Sequence, residues 1–284
     1  MEEAIKKADI LIEALPYIKK FHNKVVVIKY GGSAVDNPGV RKDILEDIVF
    51  MKFVGMRPVL IHGGGPAISQ KMRDAGIKIE FVDGFRVTTK EAMQIVSQTL
   101  DEINGQIVNE IKELGGKAIG FSGKKGAAIK AKKKTAEKDL GFAGDVDAVN
   151  NLALEKAFKK NEIPVISPVG VGADKNLYNV NGDDVASSVA IALEAEKLVI
   201  LTNVRGILAN KDDENSVLST IKENEAKELI ERNVISEGMI PKVKAAIRVL
   251  DGGVKKAHII NAKLQHSLLL EIFTDKGTGT EIVK

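Results

Sequence analysis

Along the chain, short β-branched apolar runs alternate with longer stretches in which apolar residues return every three or four positions. Val25-Val26-Val27-Ile28-Lys29-Tyr30 has the continuous apolar character of a buried strand and ends in Gly31-Gly32. Pro58-Val59-Leu60-Ile61-His62 repeats that theme and ends in Gly63-Gly64-Gly65. Further strands are predicted at 117–121, 163–169, 198–204 and 257–261. Helical periodicity fills the intervals, at roughly 39–55, 66–75, 89–114, 150–160, 183–196, 222–233 and 241–252. Strands separated by helices of this length predict βαβ units. The expected fold is α/β, a three-layer αβα sandwich whose mainly parallel central sheet is shared by two lobes. Residues 79–88 and 124–149, polar with Gly at the bends, read as hairpin insertions. Neither an internal repeat nor a low-complexity linker divides the chain.

Residues 2–20 stand before the first strand rather than between two strands. Ala4, Ile5, Ala8, Leu11, Ile12 and Leu15 recur at helical spacing, which predicts a helix with one apolar face. That face packs either on its own domain or against another subunit.

Composition narrows the chemistry. The 284 residues contain no Cys, which excludes disulfides, thiolate-bound metals and a thiol nucleophile. Lys plus Arg is 42 against 39 Asp plus Glu, a net charge of +3, and there are only 9 Phe, 3 Tyr and no Trp. A near-balanced chain without aromatic-rich strands is not patterned to bind RNA or DNA. No apolar run approaches the ~18 residues of a membrane span. Met1-Glu2-Glu3-Ala4-Ile5-Lys6-Lys7 lacks the basic start and apolar core of a signal peptide, so a cytoplasmic location is expected. Lysine outnumbers arginine 35 to 7, a bias compatible with a heat-adapted source and equally with AT-rich coding.

The common catalytic and phosphate motifs are absent. There is no G-x-x-x-x-G-K-[ST], no G-x-G-x-x-G, no H-R-D or D-F-G, no G-x-S-x-G and no H-E-x-x-H. The 4 histidines (His22, His62, His258, His266) carry no metal-ligand spacing, and no metal-binding residue is expected. What remains is a set of glycine turns at strand ends, where ligands bind in open α/β sheets. Lys29 before Gly31-Gly32 sets a cation beside unobstructed backbone amides. His62-Gly63-Gly64-Gly65-Pro66 opens a helix whose free amides favour an anion. Asn179-Val180-Asn181-Gly182-Asp183-Asp184 opens another, as a cap or as a functional acid. Gly238-Met239-Ile240-Pro241-Lys242 places a lysine at a helix N-terminus, which the macrodipole disfavours unless an anion compensates. Leu201 to Leu208 is a further glycine-containing strand-end turn.

Taken in order, Lys29–Ser33, His62–Pro66, Gly84-Phe85-Arg86-Val87-Thr88, Asn179–Asp183 and Gly238–Lys242 resemble the signatures of the amino acid kinase family, and most closely its branch acting on N-acetyl-L-glutamate. One departure is Asn203, where that family usually has Asp. The resemblance implies phosphorylation of the substrate's side-chain carboxylate by ATP with Mg2+, in arginine biosynthesis. It implies catalytic roles for Lys29, Lys242 and Asp183, the acid holding the two lysines. Gly64, Gly65, Arg86, Asn179 and Asn181 would bind the amino-acid substrate, with Arg86 clamping its α-carboxylate. Gly31, Gly32, Thr202, Asn203, Gly206, Leu208, Gly238 and Met239 would bind the nucleotide. The expected division is a helix over 1–22, an amino-acid-substrate lobe over 23–180 and a nucleotide lobe over 181–284.

The N-terminal extension, and the stretch His266 to Thr280, resemble the arginine-inhibited hexameric members. There His266, Glu271 and Gly277 would bind arginine, and the first helix would interlace dimers into a trimer of dimers. Two alternatives stand beside this reading. One is a kinase of carrier-linked aminoadipate, docked by the basic tract Lys124-Lys125 and Lys130 to Lys134, which otherwise reads as a solvated face or lid. The other is a non-catalytic nucleotide sensor, which would be expected to have lost a catalytic lysine.

Overall fold

This computed structural model describes all residues except 32–36, 124, 211, 214, 236–237 and 275–276, and the side chains of Glu3 and Lys7 are also left undescribed. In chain order the first elements are α1 (Glu2–Phe21), β1 (Val25–Tyr30), α2 (Pro38–Phe53), β2 (Arg57–His62), α3 (Gly65–Asp74), β3 (Phe81–Val82), β4 (Phe85–Arg86) and α4 (Lys90–Glu113). Next come β5 (Ala118–Phe121), β6 (Ile129–Lys133), β7 (Ala143–Val149), α5 (Asn151–Lys159), β8 (Ile163–Ile166), β9 (Val169–Val171) and β10 (Leu177–Val180). The last are α6 (Gly182–Ala192), β11 (Lys197–Thr202), β12 (Thr220–Lys222), α7 (Glu223–Glu231), α8 (Ile240–Asp251), β13 (Lys256–Asn261), α9 (Ser267–Phe273) and β14 (Thr280–Val283).

Eight strands form one sheet in the order β12-β14-β13-β11-β1-β2-β8-β5, parallel throughout except for β13 against β14. Strands from the first part of the chain lie on one side of the β1–β11 pair and strands from the last part on the other. The α/β sandwich with a shared, mainly parallel sheet is therefore the observed architecture. Because side chains alternate along a strand, each strand feeds two cores. Val27, Val59, Ile61, Leu198 and Ile200 pack on one face with Val185 and Val189 of α6 and Val243 and Ile247 of α8. Val26, Ile28, Tyr30, Leu60 and Val199 pack on the other with Ile44, Leu45 and Ile48 of α2, Ile103 and Ile107 of α4, and Leu268 of α9. The alternation also decides chemistry: Lys29 follows Val27 toward α6 and α8, and His62 follows Leu60 toward α4.

Two local expectations change. Residues 163–169 are not one strand. Pro168 has no N–H to continue the ladder, so β8 stays in the sheet while β9 leaves it. Residues 124–149 are not a free-standing insertion. Their strands β6 and β7 close with β9 and β10 into a small barrel. Residues 79–88 do contain a hairpin, β3 paired antiparallel with β4.

In α1, Ile5, Leu11 and Ile12 are 54%, 68% and 68% exposed, so its apolar face is bare in the single chain. Among the described residues its last turns hold the body, through buried Phe21 and the Tyr17 ring set edge-on to Phe273. No helix among the described residues is long and apolar enough to cross a membrane.

Candidate active site

The carboxyl ends of β1 and β2, the N-termini of α3, α6 and α8, and the β3–β4 hairpin converge. Between them lies a cleft of about 250 Å³ lined by Lys29, Gly31, Gly63 to Gly65, Arg86, Asn179 and Asn181 to Asp183. A neighbouring cavity of about 560 Å³ runs from Asp183 and Asp184 to Ile240, Pro241 and Lys244 of α8.

Asp183 sits at the first turn of α6 because Asn181 caps that helix, its Oδ1 accepting from the Asp183 N–H at 2.7 Å. The carboxylate is buried and lies 2.9 Å from Lys29 Nζ and 4.0 Å from Lys242 Nζ. Burial alone would raise its pKa, but the two ammonium groups outweigh that and hold it below the usual carboxylate range. One acid thus joins a strand-end lysine to a helix-end lysine. Burial lowers the Lys242 pKa, and the Lys29 charge adds to that against the opposing pull of Asp183. Lys242 also donates to the Gly238 carbonyl at 3.0 Å, which turns the ammonium back over its own helix N-terminus. A side chain at Gly31 would stand 2.6 Å from Lys29 Nζ, so glycine there keeps the cation's position clear.

Arg86 enters from β4. The residue is 8% exposed, and its guanidinium donates to Ser69 Oγ at 2.7 Å and Gly65 O at 3.3 Å and stacks 4.7 Å from the Phe81 ring. Among the described residues no carboxylate pairs with it. Asn179 lies across the cleft, donating to Thr88 Oγ1 at 3.2 Å, and Thr88 Oγ1 donates to the Arg86 carbonyl at 2.8 Å. Gly64 caps α3 with no side-chain acceptor for the first amides of that helix.

Thr202 and Asn203 close β11 beside the end of β1, since Leu201 pairs with Tyr30. Gly206 and Leu208 follow in a turn tied to the body by Ile207 N–H donating to Thr280 Oγ1 at 2.8 Å. Met239 caps α8. Gly32 lies outside the described residues, as does Lys124 of the basic tract. The rest of that tract belongs to the small barrel and its margin: Lys134 pairs with Asp145 at 2.7 Å and lies over the Phe85 ring.

The pattern of the amino acid kinase family matches residues 24–261. The chain belongs to the amino acid kinase family. Acetylglutamate kinase of Caldanaerobacter subterraneus subsp. tengcongensis is 50% identical over 283 residues, covering 99% of this chain and 95% of that protein. Acetylglutamate kinase of Desulforamulus reducens is 47% identical, covering 100% and 99%. Among solved structures, N-acetylglutamate synthase from Neisseria gonorrhoeae, complexed with coenzyme A and N-acetyl-glutamate, superposes with a TM-score of 0.88 at 25% identity, over 98% of this chain and 63% of that one. Carbamate kinase from Giardia lamblia bound to AMP-PNP, at 18% identity and TM-score 0.66 over 92% and 99%, shares the fold.

Apart from the cleft and its neighbouring cavity, this amino acid kinase carries a C-terminal cavity of about 580 Å³, between the end of α1, β13, β14 and α9. Glu271 is buried in its wall, bonded by His258 Nδ1 at 2.5 Å and the Thr278 N–H at 3.0 Å, with Lys197 Nζ at 3.9 Å. Burial would raise the Glu271 pKa, but His258, the Thr278 amide and Lys197 keep it low. Burial pushes the His258 pKa down against the opposing pull of Glu271 and Glu281, and its buried Nε2 makes no hydrogen bond but faces Glu281 Oε1 at 3.5 Å. Gly277 lines the same cavity, in the left-handed region at φ 61°. His266 stands apart from it. Its ring bonds fully buried Asp47 of α2 at 2.6 Å and fastens the start of α9 to that helix.

Sequence reasoning missed Ser69 and Phe81 around Arg86, Asn104 behind His62, and Lys197 and His258 around Glu271. No spacing marks these residues. Each meets its partner only through strand order or helix packing. His62 stood in a singled-out motif, yet its role depends on α4, which is distant in sequence.

Proposed function

We propose that the cleft transfers the γ-phosphoryl group of ATP to the side-chain carboxylate of N-acetyl-L-glutamate, giving an acyl phosphate and ADP in arginine biosynthesis. The observation that carries this reading is the buried Arg86, without a carboxylate of its own among the described residues, facing a cleft that already holds two lysines on one acid. Such a site lacks an anion, and the relatives named acetylglutamate kinase supply the chemistry that fits it.

The acceptor carboxylate, with a pKa near ~4.3, is ionised at neutral pH and needs no general base. The difficulty is charge, because a carboxylate must approach a polyphosphate. Lys29 and Lys242 neutralise the transferring group from two sides, and Asp183 holds both in register. The Gly31 amide completes the cradle, and the Gly64 and Gly65 amides hold the acetylglutamate at its reacting end, where its carboxylate meets the phosphoryl group. Arg86 takes the α-carboxylate as a fork, and Asn179 and Asn181 orient the rest of the substrate. The carboxylate oxygen attacks phosphorus while the bridging oxygen leaves with ADP.

The nucleotide lies over Thr202, Asn203, Gly206, Leu208, Gly238 and Met239, which divides substrate and nucleotide between residues 23–180 and 181–284. Mg2+ supplies charge neutralisation when bound. Among the described residues no three His, Asp or Glu side chains converge on a metal position, and Asp183 is committed to two lysines. The ion therefore enters with the phosphates.

The C-terminal cavity accepts arginine as a feedback inhibitor, with Glu271 toward the guanidinium and amides near Gly277 toward the carboxylate. Glu271 and Glu281, both on the cavity wall, support a cationic, donor-rich ligand there. The bare apolar face of α1 supports association through that helix into a hexamer. The enzyme works in the cytoplasm.

A coupled assay of ADP release tests the reading. Free N-acetyl-L-glutamate sustains turnover, and millimolar arginine suppresses it. Release of ADP with a carrier-linked aminoadipate but not with free acetylglutamate would refute the substrate assignment.

A further inference from the structure

The chain Val165–Asn104–His62–Gly63 behind the cleft has determinate hydrogen-bond directions. The Val165 carbonyl can only accept, so the Asn104 atom 3.0 Å from it is the amide nitrogen. That same nitrogen lies 3.1 Å from His62 Nε2, which must then accept. His62 Nδ1 lies 3.0 Å from the Gly63 carbonyl, which again can only accept. His62 is therefore the neutral Nδ1–H tautomer, and Asn104 selects it. His62 is fully buried, and burial drives its pKa down to about 4, so the ring stays neutral throughout the working range. Gly120 leaves the room that Asn104 occupies, since a Cβ there would stand 2.0 Å from its Oδ1.

The consequence falls on one peptide plane. The Gly63 N–H donates to the Tyr30 carbonyl at 2.8 Å, which anchors the turn to β1. The Gly63 carbonyl is drawn back by His62. In a trans peptide the following N–H points the opposite way, so the Gly64 N–H is turned away from His62. Three consecutive glycines would otherwise leave that plane free to rotate.

We propose that His62 and Asn104 are positioning residues which fix the Gly63–Gly64 peptide so that the Gly64 N–H is presented to the transferring phosphoryl oxygens. This rests on the phosphoryl-transfer reading above. His62 touches neither substrate nor nucleotide, and it exchanges no proton during turnover.

The test measures initial rates and thermal midpoints for three variants. His62→Leu keeps the bulk and removes the donor, His62→Asn keeps a donor near the Nδ1 position, and Asn104→Leu removes the tautomer selector. We expect His62→Leu to lower kcat about 10- to 100-fold with little change in the ATP KM, below the ~10²–10³ loss of a direct oxyanion donor. His62→Asn recovers part of that loss. The His62→Leu and Asn104→Leu effects are non-additive in the double variant. Nitrogen NMR of the wild-type imidazole supplies a readout independent of variant folding: one Nδ1–H tautomer that does not titrate between about pH 5 and 8, given the ordinary histidine pKa of ~6.5. A folded His62→Leu enzyme with unchanged kcat, or an Nε2–H tautomer in the wild type, overturns the proposal. Wild-type enzyme inactive on acetylglutamate would instead overturn the substrate reading.

Discussion

Two regions of this molecule use the same device, a buried carboxylate between cationic or hydrogen-donating side chains, for opposite ends. In the cleft Asp183 lies between Lys29 and Lys242, and Arg86 adds a third cation nearby. Cations there exceed anions, and the excess faces the ends of glycine turns. In the C-terminal cavity Glu271 lies between His258 and Lys197, and Glu281, Lys256 and Lys20 share the wall. There acids and lysines are interspersed, two against three, and both acids line the cavity. The contrast teaches that a buried acid says little about function by itself. The sign of what surrounds it is what separates the cation-rich cleft from the mixed-charge cavity.

Breaking the cleft has the largest effect. Lys242→Ala lowers kcat by roughly 10²–10³, the range for removing one oriented stabilising group, and leaves the acetylglutamate KM nearly unchanged. Arg86→Ala acts on binding instead. Losing a charge-assisted hydrogen-bond pair worth about 1.5–3 kcal/mol raises the acetylglutamate KM roughly 10- to 100-fold in steady-state kinetics. An unchanged KM would remove Arg86 from the substrate site.

The cavity answers differently. Glu271→Gln keeps kcat within about twofold and weakens arginine inhibition by roughly tenfold or more, following the ~1–3 kcal/mol scale of site coupling. Dose–response curves with the wild type and the variant separate the two sites. A variant with kcat lowered about tenfold and arginine inhibition unchanged would contradict that separation.

The smallest effect is pH dependence. Burial lowers the Lys242 pKa, so the alkaline limb of kcat lies below the ordinary lysine value of ~10.4. Asp183 has a folded pKa below its unfolded one. Its contribution to stability is therefore complete above the unfolded value of ~3.9 and is lost as pH falls through the lower folded value. Thermal midpoints measured down the acid limb should show that loss, and Asp183→Asn should flatten it.

Much of this was legible before any coordinates. Six of the eight sheet strands followed from apolar runs, whereas β12 and β14, short strands at one edge of the sheet, were not expected. The glycine turns and Asn181 marked the cleft because they are local features of strand ends and helix caps. What was not legible depends on long-range packing. Pro168 divides β8 from β9 because the small barrel captures the chain beyond it. Ser69, Phe81 and Asn104 meet Arg86 and His62 only after α3, the β3–β4 hairpin and α4 are assembled. His266 was expected beside Glu271, and the fold turns it instead to Asp47, because its left-handed backbone at φ 53° starts α9 against α2.

The central claim is that the cation-rich cleft joins a carboxylate to a phosphoryl group. The most direct measurement traps the product with hydroxylamine during turnover of ATP and free N-acetyl-L-glutamate. The account predicts a hydroxamate formed mole for mole with ADP by the wild type and almost none by Lys242→Ala. ADP released without hydroxamate, or hydroxamate formed equally by both proteins, would contradict it.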